Sequence, residues 1–142
     1  MHNPDFEKVR EGYGTWLSKY PWQLWCTLTF RYAPSSASAL RSYRRWLNRS
    51  GLWLGGLPYS FVGTEEGRLF GRVHLHALIG VGRCNDSLQI DREWLWSTWY
   101  QSYGRALILP YDRSKGASFY ISKYITKELG DYEVLGSWPS NV

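Results

Sequence analysis

Cysteine is nearly missing from this chain, and its scarcity removes two kinds of scaffold. Cys26 and Cys84 are the only two among 142 residues. They form no CxxC pair and no zinc-type spacing, which argues against a disulfide framework and a structural zinc site. Long apolar runs are missing as well, since no stretch approaches the roughly 20 residues that span a bilayer. The first residues, MHNPDFEK, lack the apolar h-region of a secretory leader. The expectation is a soluble protein of a reducing cytoplasm with no membrane partner. There is no internal repeat and no low-complexity tract. The length predicts a single domain over residues 1–142, long enough for a real core and too short for two ordinary domains.

What the chain does have is positive charge and aromatic rings. Seventeen Lys and Arg face 12 Asp and Glu, for a net charge of +5, which favours polyanionic partners and nucleic acid first among them. Arg31, Arg41, Arg44, Arg45 and Arg49 fall in one stretch without an acid. Arg41, Arg44 and Arg45 are therefore candidates to follow a phosphate backbone, although a solvated helix face explains that segment equally well. Nine Trp and eleven Tyr exceed what a core of this size needs. Most should pack inside, and some are free to stack on bases.

Periodicity predicts a first strand over residues 22–30 (WQLWCTLTF) and a helix over 37–49 that follows Ser35 or Ser36, with Leu40, Tyr43 and Leu47 inward. The Gly- and Pro-containing segment 51–58 breaks the pattern. Strands over 59–65 and 73–81 flank a turn at 66–72 bracketed by Gly67 and Gly71, which reads as an antiparallel hairpin. A helix over 91–103 carries Trp96, Trp99, Tyr100 and Tyr103 at helical spacing, a stripe expected to be core. A short strand over 105–111 follows, in which Pro110 marks an end or an edge. A helix over 114–129 is stopped by Gly130, and residues 131–142 read as tail. The order β-α-β-β-α-β-α predicts an α+β fold of ferredoxin-like or RRM-like type, an antiparallel sheet with its helices largely on one face. Such a fold hosts many functions, so the function has to be argued from its residues.

The segment VHLHALI at 73–79 is the most informative. Strand alternation sends His74 and His76 to one face and Val73, Leu75, Ala77 and Ile79 to the other. Two imidazoles at i and i+2 can bind one metal ion, whereas a lone H-x-H more often just hydrogen-bonds on an exposed sheet face. Glu65 and Glu66 shift that balance, because the hairpin folds them back beside His74 and supplies a carboxylate for a site of two His and one acid. In YISKYITK at 120–127 a Y-x-x-K unit occurs twice, offset by four residues. Tyr120, Tyr124, Lys123 and Lys127 share one arc of the helix, and Ala117, Ile121 and Ile125 another. An amphipathic surface helix explains either half alone, but leaves the duplication without a reason. TLTF at 27–30 is ordinary strand sequence whose position lets Thr29 or its neighbours line the face of the histidines.

Taken in order, TLTF, HLH and YISKYITK resemble the three motifs of the His-hydrophobic-His (HUH) endonucleases, and most closely the nicking domain of two-tyrosine rolling-circle replication initiators (Rep) of microviruses and related plasmids and phages. The stretch TEEGRLFGRVHLH at 64–76 is similar to the microviral pattern, with Val73 where many relatives have proline. The motifs span residues 25–128, and no P-loop or helicase segment accompanies them. The resemblance implies that His74, His76 and Glu65, or Glu66 in its place, bind Mg2+ or Mn2+. It implies that Tyr120 and Tyr124 are nucleophiles, helped by Lys123 or Lys127. It further implies nicking and joining of single-stranded DNA at a replication origin, beside a hairpin, in a bacterial or archaeal host whose replication proteins would be further partners. The intermediate would be a 5′-phosphotyrosine that retains the energy of the broken bond, so no nucleotide cofactor is needed. An HUH transposase or relaxase shares this chemistry, and a noncatalytic RRM-like single-strand binder shares the fold.

Overall fold

The computed structural model describes residues 12–54, 56–66, 72–82, 90–116, 119–120 and 131–140, apart from the side chains of residues 52 and 53. Its elements are β1 (Leu24–Leu28), α1 (Ser36–Arg49), the short α2 (Gly51–Leu54), β2 (Pro58–Glu66), β3 (Val73–Val81), α3 (Arg92–Ser102), β4 (Ala106–Pro110) and β5 (Tyr132–Gly136). The strands form one antiparallel sheet in the order β4-β1-β3-β2-β5. This is the α+β architecture expected from the sequence, with a fifth strand added. Among the described residues no helix is long and apolar enough to cross a membrane.

Alternation along the three inner strands divides the side chains into two sets. Leu24, Cys26 and Leu28 of β1 join Val62 of β2 and Val73, Leu75, Ala77 and Ile79 of β3 in one core with Leu40, Tyr43, Trp46 and Leu47 of α1 and Leu95 and Trp99 of α3. Helix α1 starts where Ser35 accepts a hydrogen bond from the Ser38 amide at 3.1 Å, a cap that satisfies one orphan donor of its first turn. Asp91 does the same for the Trp94 amide at 2.9 Å at the start of α3. Burial pushes the Cys26 thiol pKa up, so this thiol is a packing group and not a nucleophile.

On the opposite face the residues of 12–17 are helical, and Leu17 and Trp22 pack with Trp25, Tyr59, Phe61, Leu78 and Tyr120 in a second, aromatic cluster. Tyr59 lies flat across its partner Gly80 and donates to the Pro21 carbonyl at 2.6 Å. A Cβ at Gly80 would sit 2.1 Å from the Tyr59 ring. Gly80→Ala should therefore destabilise the fold by about 2 kcal/mol, near the middle of the range for overpacked cores, as a urea titration would show.

Two expectations are corrected here. Residues 131–142 are not all tail, because Tyr132–Gly136 pairs with Tyr59–Gly63 of β2 as an edge strand. Gly136 takes φ of 83°, with the Pro58 carbonyl 2.1 Å from where a Cβ would stand. The stripe on α3 is not all core either. Trp99 is fully buried, whereas Trp96 and Tyr100 are 44% and 46% exposed. α3 lies over the edge strand β4, so its buried face is narrower than its aromatic stripe. Pro110 does mark an edge strand, and Gly116, Phe119 and Tyr120 are helical as expected, while residues 121–130 of that predicted helix lie outside the described residues.

Candidate functional site: the open half of the second sheet face

The aromatic cluster covers one half of its sheet face, and the histidines stand on the other half. In the β2–β3 ladder Glu65 is the partner of His74, and Gly63 that of His76; across β1, His76 pairs with Thr27. With only glycine opposite it, His76 leaves room for the diagonal neighbour, which in an antiparallel pair is within reach of a long side chain. Glu65 takes that place, its Oε2 2.6 Å from Nε2 of His76. On the other side Thr27 Oγ1 is 3.3 Å from His76 Nδ1. His76 is thus held at both ring nitrogens by side chains from two flanking strands.

The imidazole is buried while the Glu65 side chain is 42% exposed. Burial lowers the His76 pKa below its ordinary value, the Glu65 hydrogen bond and charge oppose that shift, and His74 adds to it. The ring is therefore neutral at neutral pH. As a neutral donor toward Glu65 it carries its proton on Nε2 and accepts from Thr27. As a metal ligand through Nε2 it would carry the proton on Nδ1 and donate to Thr27. A threonine hydroxyl serves both tautomers, since it donates and accepts. Because the folded pKa lies below the ordinary 6.5, the stabilisation from keeping His76 neutral is fully present above about pH 6.5 and is lost as pH falls through the lower folded value. Urea titrations should show the parent losing stability over that window, and His76→Gln not losing it.

The donor chemistry suits a divalent metal in part. A neutral imidazole with a polar group behind Nδ1 and a carboxylate at Nε2 is what a His–carboxylate ligand pair requires. Among the described residues, however, no three His, Cys, Asp or Glu side chains gather as a metal-holding group. His74 shares the face of His76 and Glu65, so a side-chain rotation without a change of register is what a three-residue set would need.

The other predicted residues separate clearly. Glu66 belongs by alternation to the helix side of β2, opposite Val73, so it points away from His76, and of the two acids it is Glu65 that meets the imidazole. Thr27 takes the place at the site that the sequence offered to Thr29 or its neighbours; Thr29 Oγ1 donates to the Arg105 carbonyl at 3.0 Å instead. The parity of TLTF against HLH carries that distinction, but only once the β1–β3 register is known.

Tyr120 is only 3% exposed. Its ring packs at 5.5 Å from Trp25 and 4.9 Å from Tyr111, and its phenol oxygen accepts the Asp112 amide at 2.9 Å. Tyr124, Lys123 and Lys127 lie outside the described residues. Arg41, Arg44 and Arg45 are exposed on α1, in the layer across the sheet from His76. Arg44 is paired with both carboxylate oxygens of Glu133 on β5, at 2.9 and 2.8 Å. DNA at the histidines would have to pass round the β5 edge to meet this helix.

A family model for replication-associated proteins of the ORF2 type matches residues 23–129, a span that holds β1, the β2–β3 hairpin and the tyrosine segment. No curated protein and no solved structure gives a significant match.

Proposed function

We propose a nicking and joining reaction on single-stranded DNA for this chain, which belongs to the ORF2-type family of replication-associated proteins. Membership ties the chain to DNA replication, and the reaction is our reading of the site. The observation that carries it is the approach of Glu65 to His76 Nε2 across the hairpin, with Thr27 behind Nδ1. This is a carboxylate and a neutral imidazole on an open sheet face, where a phosphate can be brought to them.

In this reading His76 and Glu65, with His74 turned toward them, hold Mg2+ or Mn2+. The ion supplies positive charge to the scissile phosphate and so lowers the cost of charge build-up on its oxygens. Tyr124 attacks phosphorus: its phenol oxygen forms a bond to P, the bond from P to the 3′ oxygen breaks, and the leaving oxygen takes up a proton as a 3′-hydroxyl. The DNA 5′ end stays on the protein as a phosphotyrosine, and attack by a 3′-hydroxyl reverses the step and joins ends. A free phenol with pKa near 10 is a weak nucleophile at neutral pH, and Lys123 or Lys127 supplies charge to the phenolate or phosphate. Thr27 fixes the plane and tautomer of His76, so Thr27→Val should lower metal affinity or activity by a factor of about 10 to 100 while leaving the fold intact.

The test is incubation of the protein with labelled single-stranded origin DNA and Mn2+, read on a denaturing gel. A covalent adduct that vanishes with EDTA is expected. Binding without any adduct across a panel of origin sequences would favour the noncatalytic RRM-like reading, in which the same face only holds bases.

A further inference from the structure

Exposed aromatic rings normally find cover, and α3 displays two that do not among the described residues. Trp96 and Tyr100, one helical turn apart, are each nearly half exposed and stack on one another with centroids 5.0 Å apart and planes within 8°. Arg92 occupies the preceding i−4 position and is also exposed, so a cation, an indole and a phenol form one ridge along the helix. At the far end the Arg31 guanidinium lies 5.7 Å from the centre of the Tyr100 ring. Next to it Tyr32 is 46% exposed. Arg31 also donates to the Tyr100 carbonyl, and to that of Gln101 at 3.1 Å, capping the C-terminal end of α3. That capping explains where Arg31 sits but not why the rings beside it face solvent.

The position of this ridge gives it a role. Arg31 follows β1 by three residues, and its amide bonds to the Tyr103 carbonyl at 2.8 Å. The same end of β1 carries Thr27 opposite His76. The ridge therefore begins at the edge of the sheet nearest the candidate site and runs away from it along the outer side of α3.

We propose that Trp96 and Tyr100, flanked by Arg31 and Arg92, form a stacking platform that holds the bases of single-stranded DNA entering or leaving the His76 site. The choice of single-stranded DNA as occupant rests on the function proposed above, and the chemistry of the ridge matches it. Every base offers a ring face to an indole or phenol, and a cation at each end meets the backbone phosphates. Glu93 is the only acid within α3, and it sits in the first turn, where it complements the helix dipole.

Fluorescence anisotropy with labelled oligothymidylate in EDTA tests the platform without any cleavage. Trp96→Ala and Tyr100→Ala should each weaken binding by about tenfold, with unchanged salt dependence and an unchanged melting curve. Trp96→Phe should recover most of the affinity. Arg31→Ala and Arg92→Ala should instead each reduce the salt slope by about 0.7, the value for one phosphate contact on a single strand. Affinity of the double ring variant within twofold of the parent would overturn the proposal and leave the ridge as a surface for a protein partner. Adduct formation on origin DNA is scored in parallel. Ring-dependent binding with no adduct supports the platform and sinks the nicking reaction, and an adduct with ring-independent binding does the reverse.

Discussion

His76→Ala is expected to lower adduct formation by roughly a thousandfold or more, the loss of several kcal/mol of charge stabilisation at the phosphate. The expectation follows from position: among the described residues of the site, His76 is the one contacted by side chains from both flanking strands. Removing it takes the central donor and leaves Glu65 and Thr27 with no common partner. Single-strand affinity measured in EDTA should change little, because the stacking rings and arginines are elsewhere. Glu65→Ala should follow His76→Ala in direction, and Glu66→Ala should stay near the parent, since Glu66 belongs to the other face of β2. Adduct yield on denaturing gels at limiting Mn2+ decides all three. A Glu65→Ala variant as active as the parent would remove the carboxylate from the proposed ligand set, and a His76→Ala variant that still forms adduct would remove the metal site altogether.

The second large effect is expected at Tyr124. Tyr124→Phe should eliminate the first covalent adduct, while Tyr120→Phe should form it at nearly the parental rate and fail in successive transfers. The structure supplies a physical reason for this asymmetry. The Tyr120 phenol is enclosed by Trp25, Tyr111 and Phe119 and occupied by the Asp112 amide. To reach a phosphate it would first have to leave that cluster and give up that bond. Tyr120→Phe keeps the ring and loses only the acceptor, at a cost of about 1 kcal/mol, so the variant should stay folded. Mass spectrometry of the DNA-linked peptide identifies the attached residue. Exclusive attachment at Tyr120 would reverse the order, and attachment at neither would end the tyrosine mechanism.

Much of this was legible before folding because it is written locally. Period-2 alternation in VHLHALI gave β3 and placed both histidines on one face. Ser35, Asp91 and the inward positions Leu40, Tyr43 and Leu47 gave the helices. Pro110 gave the edge character of β4, and the ordered motifs pointed to replication proteins, the family that the match over residues 23–129 then showed. A strand such as β5 leaves no comparable trace. It is five residues of mixed polarity whose only strand partner is β2, some seventy positions earlier, and no local pattern encodes a partner that distant.

By itself, then, the sequence determined the residue types, their alternation and their helical spacing, because backbone geometry turns those into faces without reference to the rest of the molecule. Only the tertiary structure decided which of two neighbouring acids meets His76, which threonine stands behind it, and which aromatics of α3 are left uncovered. Each of these depends on register or on the width of a packed face. Register is fixed by long-range pairing, where a slip of one residue exchanges every side chain between faces. The separation of Glu65 from Glu66 and of Thr27 from Thr29 is that exchange, and the exposure of Trp96 and Tyr100 follows from α3 lying over an edge strand, with no further layer among the described residues to cover its outer side.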